Sequence, residues 1–353
     1  MGLRASETSA MTRPRYVHPV SICLVAYNRG SYMPATLDSI LGQSFSDFEL
    51  IISDDASRDN TEEVCRDYAK RDFRIRYYRN SRNLGMPGNL NAAISQARGT
   101  YIANLHDGDI FRSDLIEKWK NALDETPDAE FVFNAYQTVS ADGSRRIWHE
   151  PFCRPRMAGD LIAEHFFRTF TSCVWGTVMA RASAYARFGL FNPEFGFIAD
   201  IDMWLRMACG STVAYIPEPL ITLMTKEADH PWTYDVWRQL FWLFQMYAVH
   251  VERYKSRIGV PSALQHSQAL RWHFLRSMVS MVKHRRWDRI REGLGLWRDA
   301  DDPVLRNFGI LMGREVWQPA WYKREMWDKI RVSPTWSDTR GTLEQTKKGT
   351  GDA

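Results

Sequence analysis

Three short acidic stretches carry the residue types that could do chemistry. The first is Asp54-Asp55-Ala56-Ser57. A carboxylate at a strand end can accept a hydrogen bond from a nucleobase N–H or a ribose hydroxyl. The same residues can also form an Asx turn and cap the next helix. The second stretch, His106-Asp107-Gly108-Asp109, sets two carboxylates around a glycine. Such a pair can face one divalent cation carrying a diphosphate, because hard Mg²⁺ or Mn²⁺ ions take oxygen ligands and share them with substrate phosphates. A solvated acidic turn is the alternative. Behind a buried strand, however, neighbouring carboxylates repel unless a cation compensates them, and this favours the metal reading. The third stretch is Asp200-Ile201-Asp202, at the head of a helical segment whose Ile201, Trp204 and Leu205 share one face. Asp200 in a first turn, kept ionised by the helix dipole, could take a proton from an attacking hydroxyl. A simple N-cap explains it as well.

The elements that must position these residues follow from hydrophobic pattern. Val20-Ser-Ile-Cys-Leu-Val-Ala26 is almost wholly apolar and stops at Asn28-Arg29-Gly30, as a buried parallel strand does. Further strands are expected over 48–52, 74–78 and 101–105. Helices are expected over 31–41, from about Thr61 with Asp59 as cap and Glu62 behind it, and over 88–98. Strands alternating with helices of about ten residues predict an α/β fold, a mostly parallel sheet flanked by helices. Ligands of such sheets bind at the carboxyl edge, where Tyr27-Asn28, Asp54-Asp55 and His106 to Asp109 all fall.

Composition bounds the rest. The chain has 353 residues, 44% apolar and 25% charged, which suits a globular protein of about two units and excludes disordered, collagenous and fibrous classes. A net charge of +4 is too small for a nucleic-acid binder without a concentrated basic patch. No uncharged apolar run approaches the ~18–20 residues that span a bilayer. Arg4, Arg13 and Arg15 lack the apolar core of a secretory signal behind them. Cys23, Cys65, Cys153, Cys173 and Cys209 show no CxxC pairing and read as reduced, buried small hydrophobes, pointing to the cytoplasm. Ten of the fourteen tryptophans lie from Trp232 to Trp336, and residues 252–331 hold 17 Lys and Arg against 9 Asp and Glu. These features together predict a flexible arm over 1–18, an α/β domain over 19–230, a helical, basic and aromatic extension over 231–332, and a flexible tail over 333–353.

Taken in order, the motifs over about 20–225 resemble family 2 glycosyltransferases, the inverting enzymes of the GT-A fold. The resemblance rests on Val20-Ser-Ile-Cys-Leu-Val-Ala-Tyr-Asn28, Ser39-Ile-Leu-Gly-Gln-Ser-Phe45 and Glu49-Leu-Ile-Ile-Ser-Asp-Asp-Ala-Ser57. It continues through Asn83-Leu-Gly-Met-Pro-Gly-Asn-Leu-Asn91 and Arg98-Gly-Thr-Tyr-Ile-Ala103 and closes on Ala199-Asp-Ile-Asp-Met-Trp-Leu-Arg206. The resemblance implies that Val25 and Tyr27 line a nucleobase pocket, that Asp55 bonds the base, and that Asn91 and Asp107 belong to the nucleotide-binding set. It implies a divalent cation, Mn²⁺ or Mg²⁺, at Asp107 and Asp109. The family commonly has Asp where His106 and Gly108 stand, so the carboxylate pair is displaced by one residue. Asp200 falls on the catalytic base, with Ala199 replacing the usual preceding Glu. Asp202 is a second acidic position orienting the acceptor, and Trp175 falls in a stretch expected to line the acceptor site. Lys226 or His230 would reach the diphosphate.

The implied partners are a nucleotide-sugar donor, UDP- or dTDP-linked, and a glycan or lipid-linked acceptor of surface polysaccharide or glycolipid synthesis. Arg271-Trp-His-Phe-Leu-Arg276 and Lys283-His-Arg-Arg-Trp287 fit weak peripheral contact with an anionic membrane at its inner face. Packing onto the catalytic domain, or onto a second copy in a homo-oligomer, fits the tryptophans as well. Two rival readings are a degenerate nucleotide-binding scaffold and a sugar-phosphate nucleotidyltransferase. The latter would want a longer basic glycine loop than Tyr27-Asn28-Arg29-Gly30.

Overall fold

A computed structural model describes residues 18–140, 142–149, 153–169, 172–174, 176–224 and 236–259. Trp175, Lys226, His230, the arm, the tail and most of the extension lie outside the described residues. At the centre is β1 (Val20–Ala26), buried along its whole length and paired in parallel with β2 (Phe48–Asp54) and β4 (Tyr101–His106). β3 (Ile75–Arg79) adds a parallel edge to β2. Alternate residues of β1 enter opposite cores, which explains its unbroken apolar run. Ile22 and Leu24 pack with Met33, Leu37 and Ile40 of α1 (Met33–Leu41), while Cys23 and Val25 pack with Leu90 and Ile94 of α3 (Gly85–Gln96). Between them, α2 (Thr61–Arg71) starts as expected. Its N-cap is Asn60, without a side-chain capping bond, in place of the expected Asp59; Asp59, one residue earlier, accepts from the Thr61 amide at 3.0 Å and from the Gly30 amide at 3.0 Å and so ties the head of α2 to the β1 loop.

The second half is less regular. It runs β5 (Asp109–Phe111), α4 (Leu115–Glu125), β6 (Ala129–Val139), β7 (Arg145–Trp148), β8 (Arg156–Ala158), α5 (Asp160–Thr169), β9 (Val178–Arg181) and α6 (Ala182–Phe188). A 3₁₀ turn (Pro193–Ile198), α7 (Ala199–Ala208), β10 (Thr212–Met224) and α8 (Val236–Tyr254) follow. The strand order is β3-β2-β1-β4-β9-β6-β10-β5, with β7 beside β6 and β8 beside β10. β9 runs antiparallel to both β4 and β6, and β5 antiparallel to β10, so the sheet is mixed but mostly parallel. No described helix is long and apolar enough to cross a membrane.

The amino edge of this sheet is pinned by a buried carboxylate. Glu49 accepts from the Ser21 hydroxyl at 2.7 Å, the Arg98 amide at 2.8 Å and the Arg76 guanidinium at 2.5 Å, joining β1, β2, β3 and the turn before β4. Burial alone would raise its pKa, but the bonds from Ser21, Arg76 and Arg98 and the Arg76 charge outweigh it and hold the carboxyl below its ordinary value of 4.5. Glu49→Ala should therefore cost about 3 kcal/mol in urea unfolding, because it strands a half-buried guanidinium and two polar donors. The carboxylate's contribution is complete above pH 4.5 and is lost as pH falls through the lowered folded value. Glu49→Gln should accordingly flatten the loss of stability below that pH, and an unchanged acid slope would contradict the assignment.

Candidate active site

Three parallel strand ends form the site's floor. Beyond β1 the chain turns through Asn28, whose φ of 53° lies in the left-handed region that asparagine tolerates. The β1 and β2 loops are then laced together. The Asn28 amide donates to Ser57 Oγ at 2.9 Å, the Arg29 amide to Thr61 Oγ1 at 2.9 Å, and the Arg58 amide to Asn28 Oδ1 at 2.8 Å. Ala56, at φ 60°, is the other non-glycine residue in that region among the described residues, a local strain of the kind held at functional turns.

The two aspartates of the first motif divide their work. Asp54 is fully buried; it accepts from the Ser57 amide at 2.9 Å and the Tyr77 hydroxyl at 2.7 Å, so it builds the loop. Asp55 accepts through Oδ1 from the Leu84 amide at 2.8 Å and Asn80 Nδ2 at 3.0 Å. Asn80 also donates to Asn89 Oδ1 at 2.9 Å, and Asn89 donates to the Ser53 carbonyl at 2.9 Å. Asp55 is thus held by an Asn80–Asn89 relay that the sequence motifs did not single out. Asn91 is corrected by the structure: its amide forms a closed pair with Phe191, donating to the carbonyl at 2.8 Å and accepting from the amide at 3.0 Å. It anchors the segment before α7, away from Asp55. Two helix positions apart, Asn89 and Asn91 face different ways. Val25 lies in the core beneath α3, and Tyr27, 44% exposed, stands at the mouth.

At the end of β4, Asp107 reaches back to the β1 loop. Its Oδ2 accepts from the Tyr27 amide at 3.3 Å, and its Oδ1 lies 3.8 Å from Arg29 Nε. Asp109 opens β5 and is buried; Thr36 Oγ1 donates to its carbonyl at 3.0 Å and accepts from the Gly108 amide at 3.1 Å, fixing the turn. Among the described residues, no group of three or more His, Cys, Asp or Glu side chains is arranged to hold a metal. A pair of carboxylates nevertheless suits a cation that takes one or two protein oxygens and completes its shell with phosphate and water.

His106 and Asp200 converge over a glycine. A Cβ placed on Gly176 would come within 2.3 Å of His106 Cε1, 2.8 Å of His106 Nε2 and 3.4 Å of Asp200 Oδ2. Only a residue without a side chain admits that approach. Asp200 is the second residue of α7 and accepts the Ile201 amide at 2.9 Å. Burial nevertheless raises its carboxyl to about 7 against the backbone hydrogen bonds that lower it. Loss of hydration therefore opposes the first-turn field that would keep the carboxyl ionised.

Asp202 is a second correction. It is 3% exposed, with Oδ1 2.9 Å from His250 Nε2 and Oδ2 accepting from Arg206 Nε at 2.9 Å. Residues two apart on a helix lie roughly 200° apart around its axis, so Asp202 faces α8 while Asp200 faces Gly176. It is not available to orient an acceptor. Burial tends to raise its pKa, but the His250 hydrogen bond and the Arg206 charge prevail and hold it low.

The model of the family described as Glycosyl transferase family 2 matches residues 21–189. A chondroitin synthase of Pasteurella multocida is 31% identical over 193 residues, 54% of this chain but only 19% of that enzyme, so the similarity spans about a fifth of the relative. Among solved structures, S. aureus TarS 1–349 in complex with UDP-GlcNAc superposes with a TM-score of 0.51 at 14% identity, covering 79% of this chain and 91% of that one. The mannosyltransferase PcManGT of Pyrobaculum calidifontis, in complex with GDP-Man and Mn²⁺, gives 0.51 at 17% identity, covering 90% and 85%. At such identities these two likenesses speak for the fold alone. With its ordered strand-end motifs, its sheet and the family match, the segment 21–189 is a glycosyl transferase family 2 domain, and the fold is of the GT-A type.

Proposed function

We propose that this chain transfers a sugar, with inversion, from a UDP- or dTDP-sugar to a hydroxyl of a glycan or lipid-linked acceptor. The observation that carries the reading is the approach of Asp200 to His106 over Gly176, one residue from Asp107 at the carboxyl edge of the sheet. A carboxyl pushed up to about 7 is a strong enough base to accept a hydroxyl proton near neutral pH. The acceptor oxygen forms its bond to the anomeric carbon as the carbon–oxygen bond to the diphosphate breaks on the opposite face. The acceptor proton passes to the Asp200 carboxylate, and the nucleoside diphosphate leaves with the bonding pair. Asp107 and Asp109 would hold the divalent cation, Mg²⁺ or Mn²⁺, which offsets the charge of the diphosphate.

Asp55, held by Leu84 and Asn80, suits the N3–H of uracil or thymine. The solved relatives divide on the base, one holding UDP-GlcNAc and the other GDP-Man. The chondroitin synthase similarity supports a growing glycan as acceptor. Trp175 as an acceptor wall, and Lys226 or His230 as diphosphate contacts, complete the proposal.

Asp200→Asn should lower transfer by roughly 10²–10⁴-fold, the usual worth of a general base, while nucleotide affinity stays the same. Loss of nucleotide binding alongside turnover would make Asp200 a structural cap instead. Wild-type kcat/KM should rise with pH as Asp200 loses its proton near 7 and level off above it. A flat profile from about pH 5.5 to 8.5 would contradict the base assignment. Gly176→Ala should cost about 100-fold in turnover by displacing His106 or Asp200, with the melting curve still cooperative. Wild-type turnover in that variant would show that the close approach has no catalytic consequence.

A further inference from the structure

The back of α7 is held by α8. Trp242, Met246, His250 and Tyr254 follow one another at four-residue spacing, so they form one stripe along α8. The stripe runs onto the catalytic helix and the turn before it. Trp242 lies against Gly196, where a Cβ would fall 2.3 Å from its ring, and meets Phe197 edge-on at a centroid distance of 5.4 Å. Met246 is fully buried. The Tyr254 hydroxyl donates to the Leu205 carbonyl at 2.6 Å.

His250 supplies the stripe's contact with a charged group. It is fully buried, and its Nε2 lies 2.9 Å from Asp202 Oδ1. Arg206 takes the other Asp202 oxygen, and its guanidinium also donates to the Phe188 carbonyl and, at 2.7 Å, to the Leu190 carbonyl. The buried charge at Asp202 is therefore balanced by one guanidinium, and His250 need carry none. Its Nδ1 has no hydrogen-bond partner among the described residues, which fits a neutral ring with its proton on Nε2, directed at Asp202. Burial pushes the imidazole below its ordinary value of 6.5 against the pull of Asp202, in keeping with a neutral ring. An ionised carboxylate this deep needs each of these partners, because removing one leaves uncompensated charge.

We propose that His250 is a positioning residue that acts through Asp202 to fix the rotational setting of α7, and with it the Asp200 carboxylate, so that residues 236–259 belong to the catalytic unit. The inference rests on the reading of Asp200 as the base. It gives the start of the C-terminal extension a defined task, the seating of the catalytic helix from behind.

The test uses hydrogen exchange and donor turnover on the full chain, comparing wild type with three substitutions. His250→Gln keeps an N–H that can reach Asp202. His250→Phe keeps the ring shape without it, and His250→Asn falls short of it. Phe and Asn should raise exchange across residues 199–208 by about tenfold or more, the weight of a hydrogen bond to a charged group. The strand segment 48–54 should exchange as in wild type. In those variants kcat should fall by a similar factor at an unchanged KM for the donor, and Gln should restore both. Wild-type exchange over 199–208 in the Phe and Asn variants would overturn the proposal, as would a Gln variant no better than Phe. Equal rises over 48–54 and 199–208 would also overturn it, because His250 would then serve overall stability alone. Exchange reports on the helix whether or not a donor turns over. An inactive wild-type protein therefore counts against the reading of Asp200, and unchanged exchange counts against His250.

Discussion

Val20 pairs with Phe48 on one side and with Tyr101 on the other, and that single parallel register sets the rest of the site. It brings Ala26 level with Asp54 and Val25 level with His106, so three loops leave the sheet at the same height. Because the strands are parallel, all three loops leave from one edge, and their side chains converge without any residue travelling far. The lattice of amide and side-chain bonds among Asn28, Ser57, Asp59 and Thr61 then locks two of them together. Asp107 ties the third to the first through the Tyr27 amide. The Glu49 cluster holds the opposite edge of the same strands, so the register is fixed at both ends.

The helix α7 shows how one short segment gives two aspartates opposite properties. Asp200 is poor in partners and loses hydration, which drives its pKa up; Asp202 is better buried by exposure yet is fully paired, which drives its pKa down. Environments that push like groups apart in this way commonly mark a division between chemistry and support. Here the division follows from helix geometry, since positions two apart cannot share a face.

Much of the first half was legible because buried parallel strands leave apolar runs and end at polar turns. The strand ends at Ala26, Asp54 and His106 fall within two residues of the expected limits. The second half was not legible, for identifiable reasons. β9 is only four residues long and enters antiparallel between β4 and β6. β10 contains Pro217 and Pro219, residues that argue against a strand, and its pairing with β6 shifts register around them. At the site, Asp55, Asp107 and Asp200 could be named from position after a strand or at a helix start. Asn80 and Asn89 could not, because their task exists only once the β2 and β3 loops meet α3. Gly176 gives no signal in a chain of 21 glycines until His106 and Asp200 close on it. His250 lies beyond the matched family region, and its only trace in the sequence is the four-residue spacing with Trp242, Met246 and Tyr254.

The central claim is that the loops at the carboxyl edge bind a nucleoside diphosphate together with a cation. Calorimetric titration of the full chain with UDP, dTDP and GDP, each with and without Mn²⁺, tests it most directly. The account predicts that a pyrimidine nucleotide binds, that Mn²⁺ strengthens the binding, and that Asp109→Asn removes the metal dependence. Binding of none of the three nucleotides under either condition would contradict it, while tight binding of GDP alone would overturn the pyrimidine assignment at Asp55.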